Sequence, residues 1–159
     1  MLKGKSIILR PLQNSDFDFL KRIENNTDNW QFGSERKKHS DKELSTYIAN
    51  ATTDIKAVKQ YRFVIDINST PIGFIDLFDC TTNSAGVGVI IAKNYRNKGF
   101  AKQALHLLSD HAFTTINLFK LHCAIAKDNV ASIKLFTSCG FELVKEEKEL
   151  RYFVKLAKN

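Results

Sequence analysis

The chain has 159 residues, 43% hydrophobic and 26% charged, with 24 Lys and Arg against 17 Asp and Glu for a net charge of +7. That length suits a single domain over residues 1–159, burying about two-thirds of its unfolded surface, and no apolar run approaches the roughly 20 residues of a membrane span. The basic residues are scattered, with only Arg36-Lys37-Lys38-His39 as a dense cluster, which argues against a nucleic-acid module built on a basic stripe.

In chain order, residues 6–12 alternate around Ile7 and Leu9 and end at Pro11, a first strand. Ser15-Asp16-Phe17-Asp18 resembles a loose capping box and opens a helix to about Glu24 that buries Phe17, Leu20 and Ile23 or close neighbours. The polar run Asn25-Asn26-Thr27-Asp28-Asn29 breaks it, and residues 30–39 have no period and read as a loop. Ser40-Asp41-Lys42-Glu43 is a better capping box for a second helix carrying Leu44, Tyr47, Ile48 and Ala51.

From Tyr61 the period becomes two. Residues 62–67 and 72–78 read as strands joined by the turn Asn68-Ser69-Thr70-Pro71, and Thr81-Thr82-Asn83-Ser84 turns the chain into an apolar, buried strand over 87–92. Apolar residues then recur at 101, 104, 105, 108, 112, 113 and 116, one helix face. A strand over 121–126, a short Asn129-capped helix, and strands over 141–144 and 150–156 complete the chain. Strands that first meander and then alternate with helices imply an α/β (α+β) domain, a mixed sheet with helices on its faces.

Between the strand at 87–92 and the helix that follows lies Arg96-Asn97-Lys98-Gly99-Phe100-Ala101. A strand, a short basic turn with one glycine and a helix start can hold phosphate on backbone N–H groups at the positive end of the helix dipole. It is not a P-loop, because Lys98-Gly99-Phe100 has the wrong order. Nor is it a dinucleotide fingerprint, because Gly86 and Gly88 lie upstream in the strand and no third glycine follows.

The pattern Arg-x-x-Gly-x-Ala resembles the acetyl-CoA-binding motif of the GNAT superfamily of N-acetyltransferases. Asn129-Val130-Ala131-Ser132, followed by Cys139-Gly140-Phe141, is similar to that family's second signature, at the family's spacing. The opening Leu9-Arg10-Pro11-Leu12 with Asp16 resembles the branch of Rim-type ribosomal-protein and spermidine acetyltransferases. The resemblance implies a mostly antiparallel GNAT sheet with helices on both faces, whose fourth and fifth strands (87–92 and 121–126 here) splay apart around the pantetheine arm of acetyl-CoA.

It also implies site residues. Backbone N–H groups of Asn97, Lys98, Gly99, Phe100, Ala101 and Lys102 would hold the pyrophosphate, with charge from Arg96 and Lys102 and close approach at Gly99. Val89, Ile90 and Ile91 would hydrogen-bond the pantetheine amides and offer an N–H to the developing oxyanion. Asn129, with Ser132 in the same signature, would hold the arm from the other side, although Asn129 is also a plain N-cap.

Two family positions depart from the pattern. Many relatives place an acidic tyrosine where this chain has Phe136, and a glutamate where it has Gly86. Replacement bases are Asp76 and Asp79, which a regular strand puts on opposite faces, and His122, which titrates in a useful range. Tyr61 and Tyr152 are weaker candidates for the acid. Cys80, Cys123 and Cys139 are odd in number and form no C-x-x-C pair, which argues against a disulfide framework and a zinc site, fits a reducing cytoplasm and leaves them as core residues. The terminus Met1-Leu2-Lys3-Gly4-Lys5 has no signal-peptide core.

The expected activity is transfer of an acetyl group from acetyl-CoA, as co-substrate, to a primary amine by direct attack. The acceptor is a polyamine, a protein N-terminus or a small amine; the opening helices and the loop at 30–39 would line its side. The net charge of +7 argues against a polycation unless Asp76, Asp79 and Glu35 make a local acidic pocket. The alternative is an acyl-CoA-binding regulator that has lost catalysis. Expected partners are acetyl-CoA and the amine, with no membrane, no metal and no nucleic acid; a homodimer is left open.

Overall fold

Local chemistry builds the sheet hairpin by hairpin. The computed structural model describes residues 1–25, 42–43 and 61–158. Among them β1 (Leu2–Lys3), β2 (Ile8–Pro11), β3 (Tyr61–Ile67), β4 (Thr70–Phe78), β5 (Ser84–Ile91), β6 (Lys120–Ala126), β7 (Glu142–Glu146) and β8 (Leu150–Leu156) form one sheet. Its order is β1-β2-β3-β4-β5-β6-β8-β7. Only the β5–β6 pair is parallel. The helices among the described residues are α1 (Phe17–Glu24), α2 (Phe100–Thr114) and α3 (Val130–Ser138). The expected second helix at 40–51 and the loop at 30–39 lie outside the described residues, apart from Lys42 and Glu43.

Several boundaries differ from expectation, each for a local reason. The β3–β4 turn has only two residues, Asn68 (φ 49°) and Ser69 (φ 69°), the left-handed pair that matches strand twist in a tight hairpin. Thr70 and Pro71 therefore belong to β4, and Pro71 sits opposite Asp66 beside a register shift, where a missing N–H is tolerated. β5 begins at Ser84 because the preceding turn closes early: Thr81 N–H donates to the Ser84 carbonyl at 2.8 Å, and Ser84 N–H donates to Thr81 Oγ1 at 3.0 Å.

The start of α1 also differs. Asp16, rather than Ser15 with Asp18, supplies the cap, accepting Gln13 N–H at 2.8 Å. The same carboxylate takes both terminal nitrogens of Arg10 at 2.8 Å, while Arg10 Nε donates to Asp66 at 2.8 Å. Hydrogen bonds to Asp16, more than those to Asp66, hold the guanidinium above its ordinary pKa against the opposing effect of burial. This bidentate cluster ties β2 and β3 to the root of α1.

Side chains alternate across a strand, so the sheet has two dressed faces. On one, Ile75, Leu77, Val87 and Leu121 pack with Ala104, Leu105, Leu108 and Ala112 of α2 and with Phe136 of α3. On the other, Val64 and Phe74 pack with Leu12 and with Phe19, Leu20 and Ile23 of α1. Of the apolar residues expected there, Leu20 and Ile23 are buried, and in place of the partly buried Phe17 its close neighbour Phe19 is. Helices thus cover both faces, and the faces meet at the seam between β5 and β6.

Candidate functional site

That seam is paired over three residues only, with Ser84, Ala85 and Gly86 opposite Lys120, Leu121 and His122. β4 and β5, by contrast, stay paired from Phe78–Gly86 to Gly73–Ile91. Beyond Gly86 and His122 the two parallel strands diverge, and β5, buried at 85–87, becomes half-exposed at 88–90 in mid-sheet. Ala124 on β6 is likewise exposed. This is the splay expected between the family's fourth and fifth strands, which are β5 and β6 here because the short β1 precedes them.

Ladder parity decides which backbone groups face the opening. Ala92 N–H donates to the Ile72 carbonyl at 2.8 Å, and antiparallel pairing alternates. Gly88 and Ile90 therefore point their N–H and C=O groups at β4, while Val87, Val89 and Ile91 point theirs away from it. Arg96 Nε donates to the Ile91 carbonyl at 2.8 Å from that side. Of the three residues expected to bond an acyl carrier, Val89 and Ile91 face the opening. Ile90 is the correction, its groups being turned to Phe74.

At the wide end of the opening, a short 3-10 turn (Lys93–Tyr95) leads to Arg96 and then to Asn97 (φ 62°) and Gly99 (φ 84°), both left-handed. The first bond within α2 runs from Gln103 N–H to the Gly99 carbonyl at 3.1 Å, so the N–H groups of Phe100, Ala101 and Lys102 have no helical acceptor. Lys98 and Lys102 are exposed beside them. A Cβ on Gly99 would meet nothing within 4 Å, so the fold itself needs glycine there for its backbone angle, not for crowding. The start of α3 lies after the same ends of the parallel strands, where Asn129 accepts Ser132 N–H at 3.3 Å. Open α/β sheets bind ligands at such carboxyl ends.

The closed end carries the ionisable groups. Asp76 pairs across the ladder with Gly88, and its Oδ1 is 3.0 Å from where a Cβ on Gly88 would stand. Arg62, opposite Asp76 on β3, has Nη2 at 3.9 Å from that oxygen and Nη1 at 2.5 Å from Glu24 of α1. Its guanidinium lies 5.2 Å from the Phe74 ring centroid. Asp79 lies past the end of β4, exposed, with φ 47°. His122 is half-buried opposite Gly86, and burial and then Lys120 push its imidazole below the usual 6.5, with Asp79 opposing. It is therefore neutral at pH 7.

Other candidates are set apart. Phe136 is 4% exposed and meets Phe141 edge-on at 5.0 Å, a core contact with no proton to give. Tyr61 packs on Phe63 at 4.9 Å, on the α2 face. Tyr152 is beyond β6 on β8, its hydroxyl donating to Glu147 at 3.1 Å, which raises its pKa. Burial pushes the Cys123 thiol up to about 12 and raises those of Cys80 and Cys139, so none is a ready nucleophile. Cys80, expected in the core, is only partly buried.

Phe78, Arg62 and Gly88 were not singled out by sequence. The signal was available, since a turn at 81–84 pairs Phe78 with Gly86 and hence Asp76 with Gly88. Among the described residues, no helix is long and apolar enough to cross a membrane, and no group of three or more His, Cys, Asp or Glu is arranged to hold a metal.

Comparison with known proteins agrees with this geometry. The acetyltransferase (GNAT) domain matches residues 6–142. The chain is 28% identical to spermidine N(1)-acetyltransferase of Escherichia coli K12 over 145 residues, 90% of this chain and 76% of that one. It is 29% identical to the Vibrio cholerae enzyme of the same name over 141 residues, 87% and 80% of the two chains. The crystal structure of Vibrio cholerae spermidine N-acetyltransferase in complex with CoA and spermine matches with a TM-score of 0.86 at 25% identity, over 96% of each chain. A GNAT-family acetyltransferase from Bacillus anthracis matches in fold, with a TM-score of 0.82 at 14% identity over 98% of this chain and 97% of that one.

Proposed function

This chain belongs to the GNAT acetyltransferase family, and we propose that the amine it acetylates is a polyamine of the spermidine type. It is an acetyl-CoA-dependent N-acetyltransferase; the acceptor and the residue roles are the proposal. The observation that carries it is the carboxylate of Asp76 at the closed end of the splay, over Gly88, with Glu24 behind it across Arg62. Carboxylates at this place are what a polycationic acceptor needs, and the similarity to spermidine acetyltransferases supports the reading.

The cradle fits acetyl-CoA on the chain's own features: N–H groups without a helical acceptor at the left-handed turn, basic side chains beside them, and an open strand edge at Val89. Phe100, Ala101 and Lys102 would hold the pyrophosphate on their N–H groups, with charge from Arg96, Lys98 and Lys102. Val89 would give its N–H to the carbonyl that gains charge during transfer. Asn129 caps α3 and would bond the arm from the β6 side. When bound, acetyl-CoA supplies an activated acyl group on a sulfur leaving group.

In the transfer a C–N bond forms and the C–S bond breaks, its electron pair leaving on sulfur. Asp76 would orient the acceptor ammonium and accept its proton, directly or through one water. The sulfur gains a proton from solvent, since Phe136 has none to donate. His122, neutral and at the strand junction, lines the site.

A panel of spermidine, spermine, aminoglycosides and short peptides with free N-termini, read by thiol release, tests the acceptor. The expected order puts spermidine and spermine first. Preference for a peptide N-terminus would overturn it. No release with any amine, despite a melting shift on acetyl-CoA, would restore the regulator alternative. Asp76→Asn should lower kcat by about 10²–10⁴ without weakening acetyl-CoA binding; an unchanged kcat removes Asp76 from the mechanism.

A further inference from the structure

We propose that Phe78 limits the length of the acyl group that this enzyme can transfer. The inference rests on the reading of the splay as the acyl-CoA cradle, and begins from two glycines two residues apart on one face of β5. A Cβ on Gly86 would stand 2.5 Å from Phe78 Cζ and 2.9 Å from its Cδ2, and one on Gly88 would stand 3.7 Å from its Cε1. The ring therefore lies directly on the β5 backbone at Gly86 and reaches toward Gly88. It fills the space that a side chain at Gly86 would occupy.

The position is the point where pairing between β5 and β6 ends, at Gly86 and His122. It shares its face with Asp76 and Gly88, not with α2, because side chains two apart on a strand point the same way. From Ile91, beside the phosphate turn, to Gly86 is a run of about 17 Å at roughly 3.3 Å per residue. An acyl carrier held by its phosphates at the start of α2 and laid along the open edge of β5 delivers its acyl end beside the ring.

The ring is stiff, with two side-chain torsions, and it rests on backbone held to β4 by the ladder that runs from Gly86 to Ile91. An acetyl group ends at one methyl. Every further methylene has to displace the ring or leave the acceptor face. A contact with one methylene typically discriminates about 10-fold or more. Phe78 is thus a specificity residue for the acyl donor, distinct from the groups that hold the nucleotide end.

Isothermal titration of CoA, acetyl-CoA and butyryl-CoA against the wild type, Phe78→Ala and Phe78→Leu tests this, with a melting curve for each protein. The wild type should bind CoA and acetyl-CoA, and butyryl-CoA at least about 10-fold more weakly. Phe78→Ala should bring butyryl-CoA close to acetyl-CoA and raise butyryl transfer to spermidine, with CoA affinity unchanged. Phe78→Leu should do so partially, and decides the matter should the alanine variant not fold. An acetyl-to-butyryl ratio unmoved in a folded variant that still binds CoA overturns the proposal while leaving the cradle intact. Failure of the wild type to bind any of the three overturns the cradle reading and the proposal with it.

Discussion

β5 has two neighbours and treats them differently. Toward β4 it keeps a full antiparallel ladder from Gly86 to Ile91; toward β6 it pairs at Ser84, Ala85 and Gly86 and then leaves. One edge of the strand is committed to the ladder and the other is left open, and the alternation of backbone direction sorts the residues between the two. On the proposed function, the absence of pairing is itself the binding feature. A continuous β5–β6 ladder would be more regular and would have no N–H groups to offer.

The comparison predicts a large effect at the wide end. Gly99→Glu should weaken acetyl-CoA binding by about 100-fold or more, the worth of two lost charge-assisted bonds. Because a Cβ there meets open space, the cost to folding should be only the left-handed backbone, about 1–2 kcal/mol. Titration showing unchanged affinity in a folded variant would remove the phosphate site from Gly99.

Parity itself can be broken by a pair of neighbouring prolines. Ile90→Pro removes an N–H directed at β4 and should cost about 3 kcal/mol or more by denaturant unfolding. Val89→Pro removes an N–H directed at the opening, where a strand edge tolerates proline, and should cost affinity for acetyl-CoA more than stability. The reverse ranking would mean that the ladder parity is misassigned.

Phe136→Tyr sharpens the contrast between core and opening. The side chain is packed on Phe141, so the added hydroxyl should lower stability by about 1–3 kcal/mol and leave turnover unchanged. A clear rise in turnover would instead mean that the hydroxyl reaches the opening and that protonation of the leaving thiolate limits the rate.

The smallest effect is a pH slope from His122. Its folded pKa lies below the ordinary value of 6.5, so below that value the unfolded chain binds a proton that the folded chain refuses. Its contribution is present above pH 6.5 and is lost as pH falls. Melting curves across pH 5–7 should flatten in His122→Gln; an unaltered slope would exclude this histidine as a source.

How much of this was legible in the chain depended on the range of the interaction. The motif Arg96 to Ala101, the Asn129 cap and the apolar faces of α1 and α2 are local, and they were readable because capping, periodicity and glycine chemistry act within a few residues. The hairpin at Asn68 and Ser69 was recognisable as a turn but was assigned two residues too many, since the register shift at Asp66 that accommodates Pro71 is a cross-strand event. Asp76 and Asp79 were expected on opposite faces of one strand, but β4 ends at Phe78 and Asp79 follows it with φ 47°, so strand alternation does not reach Asp79. Which of them meets the opening was not readable, because that depends on which edge of β4 receives β5.

By itself, then, the sequence determined a mixed sheet with helices on its faces and a basic turn with one glycine between a buried strand and a helix, while the family resemblance alone marked Phe136 as standing where relatives place an acid. These follow from the order of residue types along one chain segment. Only the tertiary structure decided that Val89 rather than Ile90 faces the opening, that Arg62 links Glu24 to Asp76, and that Phe78 lies where Gly86 has no side chain. Each depends on strand register, which couples residues eight or more positions apart through backbone hydrogen bonds and packing.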